Sequence, residues 1–231
     1  MLTDNSLLAS LPEDQRQRLL RQCDRVELPK GRVLVDIDNP VDYAYFPIGG
    51  LISLLAVTDQ DQSLELAMIS NGGFVGLPLV LYDITAPYQV VVQIESVAWR
   101  IRATRLRAEL DRHGAVEQIL LQYVHDVQRE FTQAVLCHRF HSTSQRLSRW
   151  LLAAQDRLHS NAIDVTQESL ARALGVPRTA VSAGAVVLQD AGYIRYRHGR
   201  IVVTDRERLM RAACDCYRVL RRDHEHVHVA H

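Results

Sequence analysis

Residues 166–190, TQESLARALGVPRTAVSAGAVVLQD, constrain this chain more than any other stretch. Leu170, Leu174, Val176, Val181, Ala185 and Leu188 recur at helical spacing and predict one inward apolar face. Ala171 and Gly175 are small, as expected where two helix backbones approach closely. The pattern predicts two short helices joined by a tight corner. Thr166 is the expected N-cap, with Ser169 rather than Glu or Gln at the third helical position, so the capping box is incomplete. Pro177 is expected in the first turn of the second helix, where its missing N–H is not needed. A buried αα-hairpin has the same spacing, so the surrounding chain must separate the two readings.

Charge begins to do so. The 231 residues carry no net charge, but residues 1–138 hold 12 basic and 18 acidic side chains, a net of −6. Residues 139–231 hold 15 and 9, a net of +6. The cations lie in the half with the helical corner, which is the polarity a polyanion partner requires. Apolar content of 47% fits an ordinary globular chain of two modest domains. No apolar run approaches the roughly 18 residues of a membrane span, and no signal pattern opens the chain, so a cytoplasmic location without membrane contact is expected. Cys23, Cys137, Cys214 and Cys216 are too scattered for a disulfide framework, and Cys214-x-Cys216 lacks a second cysteine pair at zinc spacing. Reduced thiols and no metal site are expected.

In chain order, residues 6–25 form a helical lead-in interrupted at Pro12. From Val26 to Ile101 the texture changes to short apolar runs separated by turn residues: VELPKGRVLV, AYFPIGGLISLLAV, SLELAMI, GGFVGLPLVL and YQVVVQIESVAWRI. Such runs predict an antiparallel sandwich or barrel, with the Asp-Gln-Asp of residues 59–61 capping one hairpin. Residues 103–113 have a short helical pattern. From residue 115 to 137, Val116, Leu120, Tyr123, Val127, Ala134 and Cys137 form a seam, interrupted at Glu130, of the kind that suits a helix pair or a single helix packed on its own domain. HRFHSTSQR, residues 138–146, is the hinge candidate. A helix is expected over 146–159, then the corner, a β-hairpin over GYIRYRHGRIVVTD with its tip at His198-Gly199, and a continuous terminal helix from residue 205.

A β-rich module, a seam-bearing helix, a helix-turn-helix and a β-wing in this order resemble the Crp/Fnr family of bacterial transcription regulators. TQESLARALGVPRTAVS, YFPIGGLISLL and ISNGGFVGLPLVL carry the resemblance, which covers roughly residues 15–210. It implies an α+β chain: an antiparallel β-roll (jelly-roll-like) sensor over 1–113, a dimerisation helix over 114–138 with Val116, Leu120, Tyr123, Val127 and Ala134 at the pair interface, and a winged helix-turn-helix over 139–231. It further implies a homodimer on a palindromic double-stranded DNA operator, with RNA polymerase as a further partner.

By position, Thr166 matches the family's phosphate-contacting threonine, Gln167 lies where a basic contact is common, and Arg178 matches the arginine that opens the recognition helix. A guanidinium there can donate to O6 and N7 of guanine. Thr179 and Ala183 replace a frequent glutamate and a frequent second arginine, while Ser182 and Val186 offer only hydroxyl or apolar contacts. The expected operator therefore departs from the family's commonest half-site. His198-Gly199-Arg200 matches a backbone-contacting His-Gly-Lys, and Arg195 and Arg197 extend that wing.

The family's nucleotide site uses a glutamate after an F-x-G turn and an Arg-Ser pair about ten residues on. Here Leu77 follows Phe74-Val75-Gly76, Tyr88-Gln89 stand at the Arg-Ser region, and no basic residue occurs between Arg32 and Arg100. A cyclic phosphate lacks its guanidinium, so an effector other than cyclic AMP is expected, of unknown identity. An iron–sulfur cluster is not expected, since Cys23 stands alone near the N-terminus. Cys23, His113, His125 and His138 are read as structural or solvated rather than haem ligands, the HEHVHVAH tail as polar, and no cofactor is predicted. Metal-dependent barrel enzymes need histidines in the strands, whereas the first histidine is His113. No nucleophile elbow or phosphate loop appears, so no enzyme is expected. The competing reading is a ligand-binding or protein-interaction module of the same fold with lost or weak DNA binding.

Overall fold

A computed structural model describes residues 5–221. The chain divides into two compact units: residues 1–56 with 68–128, and residues 57–67 with 129–231.

In the first unit, α1 (Ser6–Ala9) and α2 (Glu13–Leu20) precede β1 (Asp24–Leu28), β2 (Val33–Val35), β3 (Tyr43–Pro47), β4 (Leu51–Val57) and β5 (Ser63–Ile69). After α3 (Leu77–Val80) come β6 (Gln89–Ile94), β7 (Ser96–Arg102) and α4 (Ala103–Leu110). The strands make two sheets, in the orders β1-β7-β3 and β2-β6-β4-β5. Pairing of β7 with β1 and β3, and of β6 with β2 and β4, is antiparallel. Phe46 and Phe74, both essentially buried, meet at 5.0 Å between ring centroids in the core. The expected hairpin cap is present: Asp61 has φ 58° and donates its N–H to the Thr58 carbonyl. GGFVGLPLVL differs from the strand texture expected of it, because Gly76 turns the chain at φ 134° and Pro78 enters the first turn of α3. Proline has no N–H for a strand ladder and suits a helix start.

α5 (Ala115–Phe140) runs from the first unit into the second. Val116, Leu120, Val127 and Ala134 are buried within a single chain, and Tyr123 packs edge-on to Phe74 at 6.4 Å. These residues pack within their own chain, as the reading of a single helix packed on its own domain expects. Heptad-like spacing describes this case and a helix pair alike, since any helix buries a face with that period. The exposed apolar residues of α5 are instead Leu121, Val135, Leu136 and Phe140. Glu130, which interrupts the seam, accepts from Arg157 at 3.1 Å.

The second unit continues with α6 (Thr143–Leu158), β8 (Ala162–Asp164), α7 (Gln167–Leu174), α8 (Arg178–Asp190), β9 (Ile194–Arg197), β10 (Arg200–Val203) and α9 (Arg206–Ala212). α6 begins with a capping box between Ser142 and Gln145, a start signal within the segment read as a hinge. Trp150, Leu147, Leu151, Leu170, Val181 and Ile201 fill the core. β8 joins the wing in the sheet order β8-β10-β9. The terminal helix is not continuous: α9 stops at Ala213, whose ψ of 155° is extended, and helix resumes at 216–221. The HEHVHVAH tail lies outside the described residues. Among the described residues, no helix is long and apolar enough to cross a membrane.

Candidate DNA-binding surface

α7 starts where its sequence predicts. Thr166 Oγ1 accepts from the Ser169 N–H at 3.1 Å, satisfying one of the orphan donors of the first turn. The helix ends at Gly175 in the left-handed conformation, φ 57°, which a side-chain-bearing residue adopts only with strain. Gly175 is therefore a helix stop and also a close-approach position, since an added Cβ would lie 3.1 Å from the His138 ring and 3.2 Å from the Ser63 carbonyl oxygen. The small residue at a helix crossing is Gly184, where an added Cβ would lie 3.6 Å from Leu147 of α6. Pro177 stands one position earlier than expected, as the N-cap of α8.

Burial of Val181, Gly184, Ala185 and Leu188 sends the opposite face of α8 to solvent. Arg178, Thr179, Ala183 and Val186 are exposed on it, and Ser182 is half-buried. Val187, which the sequence did not single out, is 60% exposed and extends the apolar part of that face. Gln167 links the two helices: its Oε1 accepts from Arg178 Nε at 3.3 Å and from Ser182 Oγ at 2.9 Å.

The wing sits beside this face. His198 and Gly199 both have positive φ, 48° and 78°, the two-residue turn whose twist matches a hairpin. Arg195, Arg197, His198 and Arg200 are all exposed. A Cβ added to Gly199 would lie 3.8 Å from Thr166 Cγ2, so the wing tip adjoins the start of α7. The Tyr196 N–H donates to Gln189 Oε1 at 2.9 Å, tying β9 to the last turn of α8. Arg200 faces Asp164 at 3.6 Å. The surface thus combines a donor-bearing helix with a cationic hairpin, the parts needed for base-edge and phosphate contacts.

Behind it, Arg146 Nη1 donates to the Leu174 carbonyl at 3.0 Å and lies 2.8 Å from His138 Nδ1. Burial, then the charges of Arg146 and Arg149, push His138 down to about 4, so the imidazole is neutral and accepts from Arg146.

In the β-roll, Leu77 and Tyr88 line a common apolar space with Val35, Leu54, Ile69 and Phe74, which has no room for a water molecule. Burial pushes the Tyr88 hydroxyl up from its usual range. Gln89 turns away and donates to Asp36 Oδ1 at 3.0 Å. Cys23 is half-buried and donates to the Leu19 carbonyl.

The other three cysteines correct the expectation of scattered thiols without a metal-site pattern. Cys137, Cys214 and Cys216 are buried together, and His141 joins them. The chain break after α9 turns the terminal cysteines toward the end of α5, a placement that a continuous helix would not give. The pairing signal in the sequence was Cys137-x3-His141, one helical turn apart, rather than a second cysteine pair.

Comparison with known proteins agrees with this architecture. Residues 25–113 match the cyclic nucleotide-binding domain family, and residues 145–212 match the Crp-like helix-turn-helix domain. No curated protein matches significantly. Among solved structures, FixK2 from Bradyrhizobium japonicum is similar at a TM-score of 0.72 and 16% identity, over 83% of this chain and 98% of that one. A putative Crp/Fnr-family regulator from Eubacterium rectale gives 0.71 and 15%, over 91% and 99%. The c-di-GMP-responsive regulator CLP from Xanthomonas campestris gives 0.67 and 20%, over 83% and 99%. Together the two domain matches span more than half of the chain, in the order of the observed units, and the chain belongs to the Crp/Fnr family.

Proposed function

We propose that this protein is a homodimeric, effector-responsive transcription regulator that binds a palindromic operator through α8 and the wing. The observation that carries the proposal is the set of exposed Arg178 with half-buried Gln167 and Ser182, bridged across the corner of a Crp-like helix-turn-helix beside four exposed wing residues able to hold phosphates. Arg178 reads guanine; Thr179, Ser182 and Val186 supply hydroxyl or apolar contacts; Thr166, Arg195, Arg197, His198 and Arg200 hold the backbone. With a single cationic base reader, DNA shape carries part of the specificity.

The effector is not cyclic AMP bound in the family's manner. Residues 33–99 contain no cation, and Leu77 and Tyr88 occupy an apolar space where a phosphate has no partner. A second copy packs on the outer face of α5, where Leu121, Val135, Leu136 and Phe140 are exposed. Effector occupancy shifts a two-state equilibrium through α5 and the corner at residues 140–144. The tip of the β4–β5 hairpin offers a second route, because Ser63 Oγ donates to the Arg172 carbonyl of α7 at 3.1 Å.

Titration of labelled promoter fragments across a salt series tests the reading. Salt-steep, sequence-selective binding that weakens with Arg178→Ala supports it. Failure of the full-length protein to prefer any promoter fragment of its host over random DNA overturns it.

A further inference from the structure

The end of α5, the corner into α6 and the segment after α9 bring four soft donors to one place. The Sγ atoms of Cys137, Cys214 and Cys216 and a ring nitrogen of His141 all lie within 4.8 Å of one another. Cys137 Sγ is 3.6 Å from Cys214 Sγ, and Cys216 Sγ is 3.4 Å from His141 Nδ1. A tetrahedral site with Zn–S bonds of about 2.3 Å and a Zn–N bond of about 2.0 Å has S···S edges of about 3.8 Å and S···N edges of about 3.5 Å. These two edges match that tetrahedron, and the widest separation exceeds it by no more than about 1 Å.

The surroundings match as well. His141 Nε2 lies 3.3 Å from Asp215 Oδ1, so the carboxylate holds the N–H on Nε2 and leaves the Nδ1 lone pair facing Cys216. A carboxylate behind a ligating imidazole fixes ring orientation and raises its basicity. Gln133 Nε2 donates to Cys216 Sγ at 2.9 Å, a contact that favours sulfur as an anion. The Arg149 guanidinium acts through space on Cys137 and Cys214, and its Nε is buried without a hydrogen-bond partner. The segment is also held without any ion, since Tyr217 OH donates to Asp156 Oδ2 at 2.7 Å and Arg206 Nη2 pairs with Asp156 Oδ1 at 2.7 Å.

We propose that Cys137, His141, Cys214 and Cys216 bind one thiophilic divalent ion, with the chemistry of Zn2+, in a closed four-coordinate Cys3His site. Binding releases the remaining thiol protons to solvent and transfers no electrons. Three thiolates and a neutral imidazole around a dication leave one negative charge, which Arg149 offsets. With no open coordination position the ion is a clasp: it fastens the segment after α9 to the α5–α6 corner, inside the unit that carries the helix-turn-helix. The proposal does not depend on the reading of the DNA-binding surface.

The test uses the full-length protein, reduced, stripped with chelator and titrated with Co2+ and then Zn2+. The expected result is one ion per protomer, with the thiolate charge-transfer and ligand-field bands of tetrahedral Co2+ that one equivalent of Zn2+ abolishes. Cys214→Ser and His141→Ala lose those bands while Cys23→Ser keeps them. Asp215→Asn retains them with an affinity lower by about 10–100-fold. Circular dichroism of the stripped wild type establishes that it remains folded, so the central result needs no variant. Folded, reduced wild type that gives no thiolate–Co2+ bands overturns the proposal. So do bands that survive Cys214→Ser, or a Cys137–Cys214 disulfide that re-forms in place of metal uptake after reduction.

Discussion

Arg178 Nε donates to Gln167 Oε1 across the corner between α7 and α8, at 3.3 Å. An exposed arginine is ordinarily a mobile cation, so this contact restricts the guanidinium before DNA arrives and lowers the ordering cost of binding. Arg178→Ala removes the proposed guanine contact and is expected to cost about 1–3 kcal/mol of operator affinity, with relaxed preference at one base pair per half-site. Gln167→Ala leaves the guanidinium in place but unrestrained and is expected to lose less than about tenfold. Fluorescence anisotropy on the wild-type operator and on single-base variants separates the two. An Arg178→Ala protein that loses affinity equally for all sequences would place that residue on phosphate instead.

The wing is expected to behave differently. Arg195 and Arg197 project from β9 at an exposed hairpin, so their contribution is charge rather than base reading. Arg195→Gln should weaken operator and random DNA alike and flatten the slope of log K against log salt by roughly 0.9. Arg200 faces Asp164 and should contribute less than Arg195, because DNA must compete with that carboxylate. A slope unchanged by Arg195→Gln would remove the wing from the binding surface.

Why some of this was readable in the sequence and some was not follows from the range of each interaction. α7, α8 and the wing are specified by neighbours: Thr166 caps its own helix, Gly175 stops it, and His198-Gly199 turns its own hairpin. The order β2-β6-β4-β5 depends on strands far apart in the chain, and alternation cannot choose among the possible pairings. The seam of α5 is ambiguous for a different reason. Val116, Leu120 and Val127 have the same period whether they face a partner or their own core, and only burial in the single chain separates the cases. The cysteine cluster was hidden by distance, since Cys137 and Cys214 are 77 residues apart and meet only because the chain leaves helix at Ala213.

The outer face of α5 gives an assembly prediction. Leu136 is 44% exposed, one turn from exposed Phe140 and beside exposed Val135. If a second copy covers this face, Leu136→Glu places like charges against each other in an apolar contact and shifts the protein to monomer, measured by light scattering during size-exclusion chromatography. Buried Val127 offers the contrasting substitution: Val127→Ala should lower stability by about 1–3 kcal/mol and leave the oligomeric state unchanged. Dimers that persist in Leu136→Glu would exclude this part of the helix.

Cys23 is expected to be the least reactive thiol for its exposure. Burial, and then the charge of Asp24, push its thiol up to about 12, and the thiolate is the attacking form. A raised value keeps the proton bound, so the thiolate fraction at pH 8 falls to about 10⁻⁴, against roughly a quarter for a free thiol. Iodoacetamide labelling followed by mass spectrometry should leave Cys23 unmodified in native protein through pH 10 and label it fully in denaturant. Rapid native labelling at pH 8 would mean that the Leu19 carbonyl does not hold the thiol.

Gly184 closes the helix crossing that sets the recognition helix on α6. A Cβ there would lie 3.6 Å from Leu147 Cδ2, 3.7 Å from Ser144 Cα and 3.9 Å from Ser144 N, all ordinary van der Waals contacts. Gly184→Ala therefore adds a methyl group that fits and removes backbone freedom from the unfolded chain, for an expected gain of about 0.5–1 kcal/mol. Gly184→Leu reaches past those contacts into the Leu147 side chain, must separate α8 from α6, and should cost about 1–3 kcal/mol. Thermal melts of the two variants give opposite signs if α6 and α8 touch here. Because Arg178 and Ser182 ride on the same helix, Gly184→Leu should also weaken operator binding while Gly184→Ala leaves it intact.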